Sequence, residues 1–197
     1  KLGGMYANKI NLVSTESGVG VRNLGVIVGG EKGITIDANG QLLNNNAQIK
    51  SEGAVNLTTN GSLDNTTGTI ASNKTISINT NKNNIINARA GKISTLADVY
   101  VNSGAIDNTN GKIAAGGLLA VDTNNNTLTN AGKGNTVGIE AGIVVLKTGT
   151  LNNSNGQIRG EYMDLDSAYL NNNNGILETN GDIIINSLGN IDNNKGL

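Results

Sequence analysis

Aliphatic residues separated by one polar or small residue recur along the whole chain. The pairs are Ile34/Ile36, Val55/Leu57, Ile76/Ile78, Val99/Val101, Leu119/Val121, Ile143/Val145, Met163/Leu165 and Ile183/Ile185. Between them sit Thr35, Asn56, Ser77, Ala120 and Asp164. Alternation with period two predicts strands with one face in and one face out, not helices. The inward positions are mostly β-branched, which suits a pleated strand.

A second pattern precedes each pair. An aliphatic residue is followed two positions later by Asn, three further on by Gly, and two beyond that by Ile or Leu. Leu63-Asn65-Gly68-Ile70, Ile106-Asn108-Gly111-Ile113, Leu151-Asn153-Gly156-Ile158 and Leu170-Asn172-Gly175-Leu177 fit. Ile191-Asn193-Gly196 opens another copy, and weaker copies begin at Val21, Leu42, Ile86 and Leu128. The starts at 21, 42, 63, 86, 106, 128, 151, 170 and 191 are spaced by 21, 21, 23, 20, 22, 23, 19 and 21 residues. The copy at 128 carries an insertion of two residues around Gly132-Lys133-Gly134.

Self-similarity at this period marks a solenoid. The expected fold is all-β: a right-handed parallel β-helix of about 21 residues per coil, with three short strands per coil joined by Asn/Gly turns. Right-handed winding is the default for parallel crossovers. Residues 1–20 form a lead-in coil, 21–190 eight coils, and 191–197 the start of a further one, all in one continuous solenoid. Eight coils stacked at the inter-strand spacing give a rod of about 40 Å. The few aliphatics in one coil bury too little surface to offset the entropy of ordering its backbone. The coils therefore need each other, and neighbouring coils are the first partners the sequence implies.

Asn and Gly then acquire positions. Gly at the fifth offset is expected to take positive φ at a corner. The recurring Asn44, Asn65, Asn108, Asn130, Asn153, Asn172 and Asn193 are expected to stack as a partly buried amide ladder. The chain has no Pro, which fits a fold where nearly every N–H is needed for pairing.

Composition narrows the function classes. The chain has 36 Asn and 28 Gly in 197 residues, no Cys, His, Trp or Phe, and four Tyr. The net charge is −1, with 14 basic and 15 acidic residues spread evenly. No basic stripe points to nucleic acid. No apolar run reaches membrane-spanning length, and Lys1-Leu2-Gly3-Gly4 does not read as a signal peptide.

The first residues are the most specific. Leu2-Gly3-Gly4-Met5-Tyr6-Ala7-Asn8-Lys9-Ile10, Leu12-Val13-Ser14-Thr15-Glu16 and Gly18-Val19-Gly20-Val21-Arg22-Asn23 resemble the run that leads into the haemagglutinin repeats of filamentous haemagglutinin-type exoproteins. Similar runs occur in the stalks of contact-dependent growth inhibition exoproteins, and the downstream Leu-Asx-Asn-x-x-Gly-x-Ile repeats are similar to the same family's repeat. The resemblance implies a large two-partner secretion exoprotein. Such a protein crosses the outer membrane unfolded through a dedicated β-barrel transporter and folds outside as a filament bearing adhesive, receptor-binding or toxin regions. The expected location is the bacterial outer-membrane surface, and the expected role is a structural stalk facing a host or target cell. The alternative is an adhesin module that grips host glycan or receptor through outward strand faces. A β-helical polysaccharide lyase or hydrolase is a third.

Catalytic chemistry finds little to start from. Without His or Cys the common nucleophile–base pairs and zinc sites are missing. No cofactor or metal is expected. Glu161, Asp164 and Asp166 are the densest acids and are expected to form a solvated face, while Arg22, Arg89 and Arg159 share no coil position. Gly18-Val19-Gly20 lacks the third Gly of a dinucleotide site. Sequons such as Asn56-Leu57-Thr58 and Asn73-Lys74-Thr75 are expected by chance in so Asn-rich a chain. One surface feature is a candidate contact patch: Val144, Asp164 and Ile184 on equivalent outward positions of successive coils, with Tyr162 beside them and Tyr100 three coils below Asp164.

Overall fold

The computed structural model describes residues 3–197; Lys1 and Leu2 of the lead-in coil lie outside the described residues. Among those described there are 22 strands and no helix, and every strand pair is parallel. The chain winds as a solenoid with three faces, each a parallel sheet running up the axis. Ile78, Val101 and Val121 stand on consecutive rungs of one interior column.

The three faces differ in length because they differ in sequence. The first is narrow: two-residue strands such as Leu42–Leu43, Leu63–Asp64 and Ile85–Ile86 each aim one aliphatic inward. The second carries four-residue strands whose inward column reads Ile27, Ile49, Ile70, Ile93, Ile113, Ile139, Ile158 and Leu177. The third carries the period-two pairs, two inward side chains per rung, from Ile34/Ile36 upward. Together they form one aliphatic core in which most members are 0–5 % exposed. A coil closed this way has backbone donors and acceptors facing both neighbours, so stacking satisfies them all along the rod.

Two assignments by the aliphatic pattern shift by one residue. The coil expected to start at Ile86 starts at Ile85, which pairs with Leu63 below and Ile106 above, while Ile86 points outward. The coil spacings are therefore 21, 21, 22, 21, 22, 23, 19 and 21. The pair expected at Ile143/Val145 is Val144/Leu146, both 0–1 % exposed and in register with Leu119/Val121. In both places two or more aliphatics follow one another, so no alternation exists to be read.

The slip at Val144 has a second cause. From Asn108 to Ile113 the corner spans five residues; from Asn130 to Ile139 it spans nine. The insertion is thus four residues at that corner, not two. At the next corner the chain is shortened instead: the two glycines Gly116 and Gly117 of one coil face the single Gly142 of the next, across a register shift between Ala115 and Leu118. The strands of these coils run continuously over Lys112–Asp122, Gly138–Asn152 and Gln157–Asn171, the last two with their second and third faces only five residues apart at Ile139/Val144 and Ile158/Met163.

Candidate functional site

The chemistry of this molecule is concentrated at its corners. Two residues after each coil start, an Asn side chain turns inward and donates Nδ2–H to the Oδ1 of the Asn one coil on. The bonds run Asn23 to Asn44 (2.8 Å), Asn44 to Asn65 (2.7 Å), Asn65 to Asn87 (2.7 Å), Asn87 to Asn108 (2.8 Å) and Asn108 to Asn130 (2.8 Å). They continue Asn130 to Asn153 (2.8 Å), Asn153 to Asn172 (2.7 Å) and Asn172 to Asn193 (2.7 Å). All eight point the same way. Asn44 through Asn172 are 0–1 % exposed, and Asn193 is exposed. The second amide hydrogen reaches a backbone carbonyl of the next coil, as from Asn65 to Lys92 (3.1 Å) and from Asn130 to Gln157 (2.9 Å). A buried polar column so fully satisfied is rigid and specific, and aligned amide dipoles reinforce one another.

The sequence pattern named seven of these nine residues. Asn87 escaped because its coil was started one residue late, and Asn23 because the first copy is degenerate. The residue before the ladder Asn has its own task. Asp64, Asp107, Asn152 and Asn171 accept the backbone N–H two residues on, at 2.9–3.2 Å, closing an Asx turn. The Leu-Asx-Asn signature thus encodes a core anchor, a turn and a ladder rung in that order. At Asp64 burial works to raise the carboxyl's pKa. The Thr66 hydroxyl and amide and the Asn45 amide outweigh it and hold the group below its ordinary value.

Glycine plays a different part from the one expected. The left-handed residue is the one before it: Thr67, Asn110, Asn155, Asn174 and Lys195 have φ of 53–55°, as does Asn46, which precedes Ala47 at the same corner. The glycines at the fifth offset are not in that region. They are needed because a Cβ on Gly68, Gly111 or Gly156 would overlap the carbonyl oxygen of Asn44, Asn87 or Asn130 in the coil before. At these three corners the backbone of the coil before leaves no room for a Cβ, whereas the coil starting at Leu42 holds Ala47 at the equivalent position.

Two further polar columns line the other corners, and the hydrophobic pattern gave no sign of them. Thr59, Thr80, Ser103 and Thr123 are fully buried at the end of the third face. Each donates to a carbonyl of its own turn, as in Thr80 to Asn83 (2.5 Å) and Thr123 to Asn126 (2.6 Å). Ser51, Ser72 and Thr95 do the same between the second and third faces, bonding Gly30, Gly53 and Lys74 of the neighbouring coil. At the enlarged corner Gln157, 2 % exposed, holds the inserted segment through the carbonyls of Gly134 and Val137.

The outward surfaces carry charge in rows. On the second face Glu140, Arg159 and Glu178 stack in one outward row of alternating sign above Ala114, with an Arg159–Glu178 contact (2.6 Å), and Lys112 reaches across from two positions before Ala114 to Glu140 (2.5 Å). The Lys112 ammonium, seconded by Arg159, holds the Glu140 carboxyl below its ordinary range. On the third face Lys147 lies 3.8 Å from Asp122. The Tyr169 hydroxyl donates to Asp192, which pushes the phenol above its ordinary value.

The candidate contact patch is only partly assembled. Val144 is buried in the core, 0 % exposed, because it is the inward member of its pair. The outward column beside it is Val145, Asp164 and Ile184, and Tyr162 stands over Ile143, which is 45 % exposed. Tyr100 lies in the same column three coils below Asp164, above Ser77 and Asn56, and looks onto a shallow groove of about 790 Å³ that these two line with Asn102 and Val145. Glu161 sits at a corner while Asp164 and Asp166 project from a strand. Among the described residues no three acids gather to hold a metal ion.

Comparison with known proteins agrees with this geometry. The family model described as haemagglutinin repeat matches residues 2–83, 51–133 and 119–195. The chain is 59 % identical over 46 residues to a tRNA nuclease CdiA of Escherichia coli (strain NC101), covering 23 % of this chain and 1 % of that protein. It is 54 % identical over 50 residues to a toxin CdiA of Yersinia pestis, covering 25 % and 2 %. It is 54 % identical over 43 residues to a tRNA nuclease CdiA-2 of Burkholderia pseudomallei (strain 1026b), covering 22 % and 1 %. The chain therefore spans only one or two hundredths of the curated relatives it matches. No solved structure gives a match.

Proposed function

Since the chain belongs to the haemagglutinin repeat family, we propose that it is a spacer section of a secreted filament on the bacterial outer surface, holding adhesive, receptor-binding or toxin regions away from the cell. The observation that carries this reading is the unbroken register of the Asn column and the three sheets through coils of 19 to 23 residues. Every coil adds one rung of about 4.8 Å, and none departs from the axis to build an enclosed site. Length is what such a sequence produces most directly.

Export through a β-barrel partner transporter fits the same features. The chain has no Cys to pair and no Pro to isomerise. Its strands pair with the next coil, about 21 residues away, so structure can build coil by coil as the chain emerges. The nuclease and toxin named in the relatives belong, in this reading, to other parts of those long proteins.

The test is an in-frame deletion of residues 42–84, two whole coils, in the parent filament. The expected result is a filament shorter by about 10 Å with adhesion or toxin delivery retained. Deletion of half a coil is expected to abolish display. Loss of binding after the two-coil deletion with display intact, together with glycan or receptor binding by the isolated chain, would replace the spacer with the adhesin reading.

A further inference from the structure

Six Asn-Gly pairs occur in the chain: 39–40, 60–61, 110–111, 155–156, 174–175 and 180–181. In this dipeptide the glycine nitrogen attacks the preceding side-chain amide with the least steric hindrance, which makes it the usual place for Asn to be lost. All six Asn are exposed. The fold nevertheless divides them into two groups.

In four pairs the attacking nitrogen is already engaged. Gly111 N–H donates to Asn108 O (3.0 Å), Gly156 to Asn153 O (2.9 Å), Gly175 to Asn172 O (2.9 Å) and Gly181 to the Thr179 hydroxyl (3.1 Å). The first three belong to the ladder corner; backbone crowding does not separate the groups, because a Cβ on Gly40 or Gly61 would also meet the backbone of the coil before. Gly40 and Gly61 have no such partner for their N–H among the described residues. Both follow the third face, on successive coils.

Asn39 and Asn60 form a second, outer amide ladder. Asn81 donates to Asn60, Asn60 to Asn39 (2.9 Å), and Asn39 to the Thr15 carbonyl (3.0 Å). It runs opposite to the buried column, and it lies in water, where exchanging such a bond for one to solvent costs little. The side chain can therefore turn toward its own glycine.

We propose that Asn39 and Asn60 are sites of spontaneous deamidation in the folded protein, and that the fold protects the other four Asn-Gly pairs. The Gly40 or Gly61 nitrogen bonds to the Asn Cγ, the Cγ–Nδ2 bond breaks, and the nitrogen leaves as ammonia with the displaced proton. Water then opens the succinimide at one of its two carbonyls, giving Asp or isoaspartate. Asn60 leads, because Gly40 is buried and Gly61 is only half-buried. The product at 60 has no N–H for Asn39 Oδ1, so two oxygens oppose each other. If both sites convert, two carboxylates stand one rung apart, about 4.8 Å. The outer ladder is dismantled while the inner one at Asn44 and Asn65 is untouched.

The experiment holds the intact chain at mildly alkaline pH and body temperature, folded and in parallel in concentrated urea, and maps Asp and isoaspartate at all six positions by peptide mass spectrometry. In the folded chain, conversion at Asn60 and Asn39 is expected to exceed that at the other four by about fivefold or more, the factor expected from first breaking one turn hydrogen bond. In urea the six rates are expected to converge. Equal folded rates at all six, or Asn39 and Asn60 as slow as the ladder-corner sites, overturn the proposal. A spread that persists unchanged in urea also overturns it, because local sequence and not the fold would then be selecting the sites.

Discussion

The coil beginning at Leu63 and the coil beginning at Leu128 carry the same ladder rung in different frames. The first reaches from Asn65 to Ile70 in five residues, with Gly68 at the tight point. The second takes nine residues from Asn130 to Ile139 and recovers one residue at Gly142. Yet Asn65 and Asn130 donate to their successors at 2.7 and 2.8 Å, and Ile70 and Ile139 stand in the same inward column. Coil length is therefore not what keeps the rungs aligned. The side-chain columns set the register, and the corner loops absorb the difference.

Removing a rung tests this most severely. Asn65→Ala and Asn130→Ala each strip a buried donor and acceptor of their partners. Each is expected to cost about 2–4 kcal/mol, the penalty of two orphaned polar groups, measured by urea unfolding. Equal costs would show that the enlarged corner leaves the ladder at full strength. A much smaller cost at Asn130 would break the comparison.

Next in size is Gly111→Ala, which drives a methyl into the Asn87 carbonyl and is expected to lose about 1–3 kcal/mol. Gly134→Ala, on the insertion, meets no atom but keeps an unfavourable φ of +128°. It is expected to lose only about 1 kcal/mol from that strain. A reversed order would mean that the insertion, not the backbone contact, is the constrained corner.

Thr67 is β-branched yet sits at φ 55°. Thr67→Asn brings that corner to the residue its equivalents use and is expected to raise stability by about 0.5–1 kcal/mol.

The smallest effect is electrostatic. Asp64 and Glu140 both titrate below their ordinary values. A depressed folded pKa contributes stability above the unfolded pKa that is lost as pH falls through the folded one. Acid unfolding should therefore begin as pH passes below the ordinary carboxylate range, and Lys112→Met should flatten that dependence. The Glu140 side chain is 56 % exposed, so the Lys112 pair contributes less than ~1 kcal/mol.

The coil and the inward pairs were readable wherever aliphatic and polar residues alternate, as at Ile76-Ser77-Ile78. They blurred at Ile85-Ile86 and at Ile143-Val144-Val145-Leu146, where consecutive aliphatics give no phase. That one-residue ambiguity sent Val144 to the surface on paper and hid Asn87 from the ladder. Ser and Thr columns stayed invisible because a hydroxyl before a turn looks the same whether it faces water or a buried carbonyl. The role of Gly68 and its equivalents was misjudged for a related reason. A glycine in a turn suggests backbone freedom, whereas the crowding that requires it comes from a residue more than twenty positions away.

The amides in the buried column all hand their protons toward the later coils. The interior therefore has a head and a tail, as a helix does, although no residue in it is charged. A coil inserted upside down would present donor to donor at its entry and acceptor to acceptor at its exit. Such a rod accepts new material in one orientation alone, and two rods lying side by side are distinguishable as parallel or opposed.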